Sequence, residues 1–207
     1  MKRIMIVAVL GLLFALGVQA QTTPTPTGPF GFEQGMTPAQ VIKLVGQPTK
    51  TEGDVMIFAS APKPNDGFEA YTLVFSPTAG LVKVAAIGKD IQTGDDGSQL
   101  QTAYHDVIQG VELKYGPHNS KLPIDFCSGN DTECSESQFW MMSLLDHNRV
   151  DEAFWGTQTT SYANGVSLAL VEAKAEGINK GYILCGFEFA GYAAYSAAKK
   201  ANQNSTF

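Results

Sequence analysis

The chain has 207 residues, of which 44% are hydrophobic, with 14 basic residues against 20 acidic ones and a formal net charge of −6. An acidic chain with no basic stripe argues against binding to nucleic acid and to anionic membrane surfaces. Its one long apolar run, Ile4 to Val18, is too short and wrongly flanked for a membrane span, so no membrane insertion is expected.

Residues 1–20 read as a signal peptide. Lys2 and Arg3 form the positive start, the apolar run follows, and Val18-Gln19-Ala20 is a small-residue cleavage site. Cleavage would place Gln21 at the new N-terminus. It would leave 12 of the 14 basic residues against 20 acidic ones, a net charge of −8. No Cys lies near the cleavage point, so the exported chain is expected to be periplasmic or secreted and not lipidated. Residues 21–29 form a Thr/Pro spacer with no apolar residue to bury. Phe30 and Phe32 are expected to pin the folded part that follows.

The first helix is bounded by Thr37 and Gly46. Thr37 is an N-cap, Pro38 sits at the first helical position, and Gln40 completes a capping box. Val41, Ile42, Leu44 and Val45 make an apolar face, and Gly46 with Pro48 ends the helix. About nine residues do not hold a helix alone in water, so it must dock on the strands that follow.

The run Gly35-Met36-Thr37-Pro38-Ala39-Gln40-Val41-Ile42-Lys43-Leu44-Val45-Gly46-Gln47-Pro48 resembles the G-M-T-x-x-Q-V-x-x-L-x-G-x-P signature of small outer-membrane assembly lipoproteins. The wider group includes the β-lactamase-inhibitor-like repeats. The resemblance implies helices packed on small antiparallel sheets. It implies nothing specific about function, because one fold hosts many functions.

Three strands follow, at 55–60, 70–76 and 81–87, with a turn-rich loop at 61–68. Hairpin-length links make this an antiparallel meander under one helix. The loop at 88–97 contains Gly94-Asp95-Asp96-Gly97 but lacks the ligand pattern of a calcium loop. Ser98 opens a second helix, with Leu100, Tyr104, Val107, Ile108, Val111 and Tyr115 at helical spacing, and Gly116-Pro117 ends it.

Cys127 and Cys134 bracket a polar loop, and an oxidising compartment favours a disulfide there. A loop this short gains about 2–3 kcal/mol from the bridge in the chain-entropy model. A third helix is expected over 136–147, then strands over 153–159, 166–174 and 181–189. Asn164-Gly165 supplies a hairpin turn. Cys185, mid-strand, reads as a buried free thiol. A C-terminal helix over 192–200 and a frayed tail over 201–207 close the chain.

The expected fold class is therefore α+β, with helices on antiparallel three-stranded meanders. Residues 30–94 form a first helix-plus-meander unit, and 95–207 form a second with the disulfide loop and the last helix. The repeated order points to two tandem β-lactamase-inhibitor-like units, with one irregular domain as the alternative.

No catalytic residue, metal ligand or cofactor is assigned. His105 and His147 each neighbour an Asp, but adjacent residues on a helix do not face each other. His118 lies in the loop after Gly116-Pro117 and reads as solvated. Among the aromatic residues Tyr71, Trp140 and Trp155 read as core. Phe68 and Tyr162 lie in loops and are the candidates for exposed binding anchors. The first reading of function is an exported non-enzymatic protein that binds another macromolecule, an envelope protein or a secreted enzyme. The alternative is a periplasmic small-molecule binding protein, and the third reading is a hydrolase with a dispersed active site. A concave apolar pocket with convergent polar groups favours the second reading, and an open sheet surface favours the first.

Overall fold

The computed structural model of the chain describes residues 28–119, 125–128, 134 and 136–204. The signal peptide, residues 21–27 of the spacer and residues 205–207 of the tail lie outside the described residues.

A 3-10 turn at Pro29–Gly31 leads into α1 (Pro38–Val45). Thr37 accepts a hydrogen bond from the Gln40 backbone N–H at 3.3 Å, and the Thr37 N–H donates to Gln40 Oε1 at 2.8 Å. Gly46, at φ 90°, ends the helix in a conformation that side chains avoid. Docking is shallow, because Val41 is fully buried while Leu44 stays 55% exposed.

Five strands follow: β1 (Lys50–Glu52), β2 (Val55–Phe58), β3 (Phe68–Ser76), β4 (Gly80–Gly88) and β5 (Ile91–Gln92). Then come α2 (Ser98–Tyr115), β6 (Asp125–Cys127), a 3-10 turn at Ser137–Phe139 and α3 (Trp140–Leu145). The chain ends with β7 (Arg149–Gly156), β8 (Val166–Gly177), β9 (Lys180–Phe189) and α4 (Tyr192–Asn204).

All nine strands join one antiparallel sheet in the order β1-β2-β3-β4-β9-β8-β7-β6, with β5 also paired to β9. The fold is α+β. The two meanders, β2-β3-β4 and β7-β8-β9, meet through their last strands, with Ala86 opposite Cys185. They share one continuous core that includes Tyr71, Leu73, Tyr104, Trp155, Ile183 and Phe189.

The register explains the two faces. Tyr71, Ala86, Cys185, Val171 and Ala153 lie side by side across five strands, and all are buried beneath the helices. One residue along, Thr72, Ala85, Gly186, Leu170 and Phe154 form the matching row on the opposite face. In that row every residue except Gly186 is only half-buried.

Several elements differ from expectation. The first strand of the second meander starts at Arg149, not Ala153, and ends at Gly156. Its early half reads Arg-Val-Asp-Glu, so buried charge hid the strand pattern. The third helix is shorter, with a 3-10 turn before a six-residue α-helix. β1, β5 and β6 are two or three residues long, below what alternation can reveal. Asn164-Gly165 closes a longer loop between β7 and β8 and is not a two-residue hairpin.

Tyr71, Trp140 and Trp155 are core, at 1%, 4% and 1% exposure. The Trp155 Nε1–H donates to the Gly116 carbonyl at 2.8 Å, so its polar tip is satisfied. The Cys127 and Cys134 sulfurs stand at disulfide distance, 2.14 Å, and Cys185 is a buried free thiol.

Candidate functional site: an aromatic cleft beneath the second helix

A cleft of about 430 Å³ opens between α2 and the helix-covered face of the sheet. Its size falls within the roughly 300–1,000 Å³ of small-molecule sites. Four segments of the chain build it. Pro29 and Phe30 come from the first 3-10 turn, Asn65 from the turn before β3 and Phe68 from the start of β3. Cys185 and Phe187 on β9 form the floor. Two stripes of α2 form the roof, Asp106-Gly110-Lys114 and Val107-Val111-Tyr115. Each stripe has a spacing of four residues, which brings its members onto one side of the helix.

The walls are aromatic. The Phe30 ring lies 5.3 Å from Phe68, 5.1 Å from Tyr71 and 5.9 Å from Phe187, edge-on to each. Tyr115 lies 5.9 Å from Phe187 and 5.0 Å from Tyr162. Phe30 holds this position at φ 52° and ψ 21°, a left-handed conformation that is an outlier for a bulky side chain. Such conformations cost about 1–3 kcal/mol and persist only where surrounding contacts hold them. Here the Lys63 backbone N–H donates to the Phe30 carbonyl at 2.9 Å, and the Gly31 N–H donates to the Gly28 carbonyl at 3.1 Å.

Polar groups converge on this apolar space. The Asn65 side chain accepts from the Gly67 N–H at 2.9 Å and shapes the turn into β3. Asn164 donates to the Tyr115 hydroxyl at 2.8 Å. Burial pushes the Tyr115 phenol up to about 12, so it stays protonated and donor-capable. Desolvation, with the charge of nearby Lys63, holds the Lys114 ammonium below its ordinary pKa. Burial alone pushes the Cys185 thiol up, which removes it as a nucleophile.

Phe68 is corrected by this geometry. It opens β3 and is only 8% exposed, so it is an inner wall of the cleft and not an exposed anchor. Tyr162 is half-buried and packs behind Tyr115, so it buttresses the site from outside. The loop reading failed for Phe68 because the strand begins two residues earlier than alternation placed it. His118 is also corrected. Its Nδ1 lies 2.6 Å from Glu112 Oε1 and its ring stands edge-on to Trp155, so it is not a solvated loop residue. The His118 hydrogen bonds hold the Glu112 carboxyl below its ordinary range.

A second polar cluster lies under the disulfide. Arg149, 6% exposed, pairs with Asp125 and donates to the Cys134 carbonyl. Asp151, 4% exposed, faces Asp125 across the β6–β7 pair. Burial first, then the Asp125 charge, pushes Asp151 up to about 7. Asp151 Oδ1, Arg149 Nε and the Tyr104 hydroxyl have no hydrogen-bond partner among the described residues. A general acid must reach its substrate, and Asp151 and Arg149 are closed off. Their contacts tie β6 and the disulfide to β7.

Among the described residues no group of three or more His, Cys, Asp or Glu could hold a metal ion. No described helix is long and apolar enough to cross a membrane. Comparison with protein-family models, with curated proteins and with solved structures finds no match to this chain.

Proposed function

We propose that the chain is an exported, non-enzymatic binding protein and that the aromatic cleft beneath α2 holds a small ligand. One observation carries the reading: an apolar concavity of about 430 Å³ whose wall, Phe30, is held in a strained backbone conformation. Export is supported by the leader pattern and by the Cys127–Cys134 pair at disulfide distance. The tandem-unit reading belongs to the same proposal. Its support is that α1 and α2 each end at a glycine and each belong to a half with a three-strand meander, joined at β4 and β9.

The test uses the chain from Gln21 onward and the neutral apolar fluorophore N-phenyl-1-naphthylamine. Saturable binding at one site per chain is expected, and Gly110→Leu should abolish it while the protein stays folded. Unsaturable binding, or a Gly110→Leu variant that binds as well as the parent, sinks the reading.

The macromolecular reading rests on a different observation. The opposite sheet face presents half-buried Thr72, Ala85, Leu170 and Phe154 in one row, and Phe126 and Val150, paired on β6 and β7, are 50% and 37% exposed. An apolar sheet surface of this kind marks protein contact sites. Replacing Leu170 by Glu should then remove a partner captured from the envelope fraction while leaving fluorophore binding intact.

A further inference from the structure

The sheet face opposite the cleft is apolar, and it carries a charge imbalance at one place. Phe154, Leu170 and Gly186 lie side by side there on β7, β8 and β9. The next row on the same face reads Glu152, Glu172 and Leu184. Two residues before Glu152 stands Val150, paired with Phe126 on β6. Alternate positions of a strand share a face, so Val150, Glu152 and Phe154 are in line. Apolar side chains therefore surround the two carboxylates, and Phe126 is 50% exposed at the edge.

Glu152 and Glu172 stand directly opposite each other, an arrangement that weakens a sheet. Lys174 pairs with Glu172, so two carboxylates share one ammonium. Desolvation first, then the Glu172 charge, holds the Glu152 carboxyl above its ordinary range. A cation brought to this pair relieves both effects. Elsewhere on the face the charges cancel, because Lys83 and Glu188 stand opposite each other and pair at 3.0 Å. The face also accepts a helix. α4 begins against it, with Lys83 Nζ 4.6 Å from the centre of the Tyr192 ring.

We infer that this face docks an amphipathic basic helix of a partner protein, with its apolar side on Phe154, Leu170 and Leu184 and a Lys or Arg on the Glu152–Glu172 pair. This rests on the opposite sheet face being a protein contact site. The row from Phe154 to Thr72 crosses five strands and spans about 19 Å. A helix of about 14 residues, about 21 Å long, covers it. Phe126 and Val150 flank the acidic pair and keep water from the ion pair, as apolar surroundings do at the centre of an interface.

Fluorescence anisotropy of labelled peptides tests the inference on the chain from Gln21 onward. The probe is an amphipathic helix of leucine and lysine, about 14 residues long. Its controls are the same peptide with glutamate for lysine, and a scrambled peptide with no apolar side. The lysine peptide should bind saturably at one per chain, and both controls should bind at least about tenfold more weakly. An acidic chain attracts any basic peptide, so the variants decide. Leu170→Glu adds a negative charge but should weaken the lysine peptide about tenfold, because it places a carboxylate under the apolar side. Glu152→Gln should weaken it about fivefold and leave the scrambled peptide unchanged. Both variants should keep the parent's circular dichroism and its fluorophore binding. A Leu170→Glu variant that binds as tightly as the parent means attraction to net charge alone and overturns the inference. If Leu170→Glu weakens binding and Glu152→Gln does not, the basic anchor is wrong and the contact face stands. Binding of none of the peptides also overturns the inference, and the contact face is then judged by envelope capture with Leu170→Glu, which requires no helix.

Discussion

Gly110 gives the sharpest residue-scale prediction, because its two effects run in opposite directions. Gly110→Ala should raise stability by about 1 kcal/mol, since alanine is the better helix former and its methyl meets no neighbour. The same methyl narrows the cleft, so ligand affinity should fall. Thermal unfolding and fluorophore titration on one preparation measure both. A variant that gains stability with unchanged affinity would show that the glycine serves only the helix. Thr37→Ala should cost about 1 kcal/mol by removing the cap of α1, measured by urea unfolding. Asp151 makes a pH prediction. Its folded-state value is near 7, against 3.8 for the ordinary carboxyl. Between those values the folded chain holds a proton that the unfolded chain has lost, so this group's contribution to stability falls as pH rises through the window. Asp151→Asn should remove that fall. The stability of the parent minus that of the variant should therefore drop between pH 4 and pH 7, and a flat difference would contradict the buried, proton-holding carboxyl.

At the scale of elements, the disulfide and β7 depend on each other. Arg149 links the Cys134 carbonyl and the Asp125 carboxylate to β7. Replacing it with Met should destabilise the chain by roughly 2–3 kcal/mol, less than the loss on breaking a fully buried ion pair, because Asp125 is 54% exposed. Thiol labelling tests the cysteines. No thiol should react in the native protein and one should react in denaturant without reductant, because Cys185 is buried and the other two are paired. α1 was legible in full from its own residues, since Thr37, Gln40, Gly46 and Pro48 act locally. The start of β7 was not, because Arg149 and Asp151 look like surface residues until β6 and the disulfide loop cover them. The cleft was half legible. An interior glycine between Asp106 and Lys114 stands in the sequence, but its position over Cys185 and Phe187 depends on how α2 lies on a sheet assembled from both halves.

At the scale of the molecule, the two halves share one sheet and one core. They should therefore unfold in one transition, with fluorescence and far-ultraviolet circular dichroism coinciding. Two separated transitions would mean that residues 30–94 and 95–207 are independent units. The sequence order of helix and meander predicted the strands of each half but not their junction, because pairing of β4 with β9 is a contact between residues about a hundred positions apart. The same junction brings the Phe30 wall, the α2 roof and the β9 floor together, so the site belongs to the whole molecule and to neither half. A backbone amide NMR titration of the chain from Gln21 onward with N-phenyl-1-naphthylamine tests this most directly. The account predicts saturating shifts confined to residues 29–31, 63–68, 106–115 and 185–187. Shifts centred instead on Leu170, Phe154 and Thr72 across the opposite sheet face, or no saturable shifts at all, would contradict it.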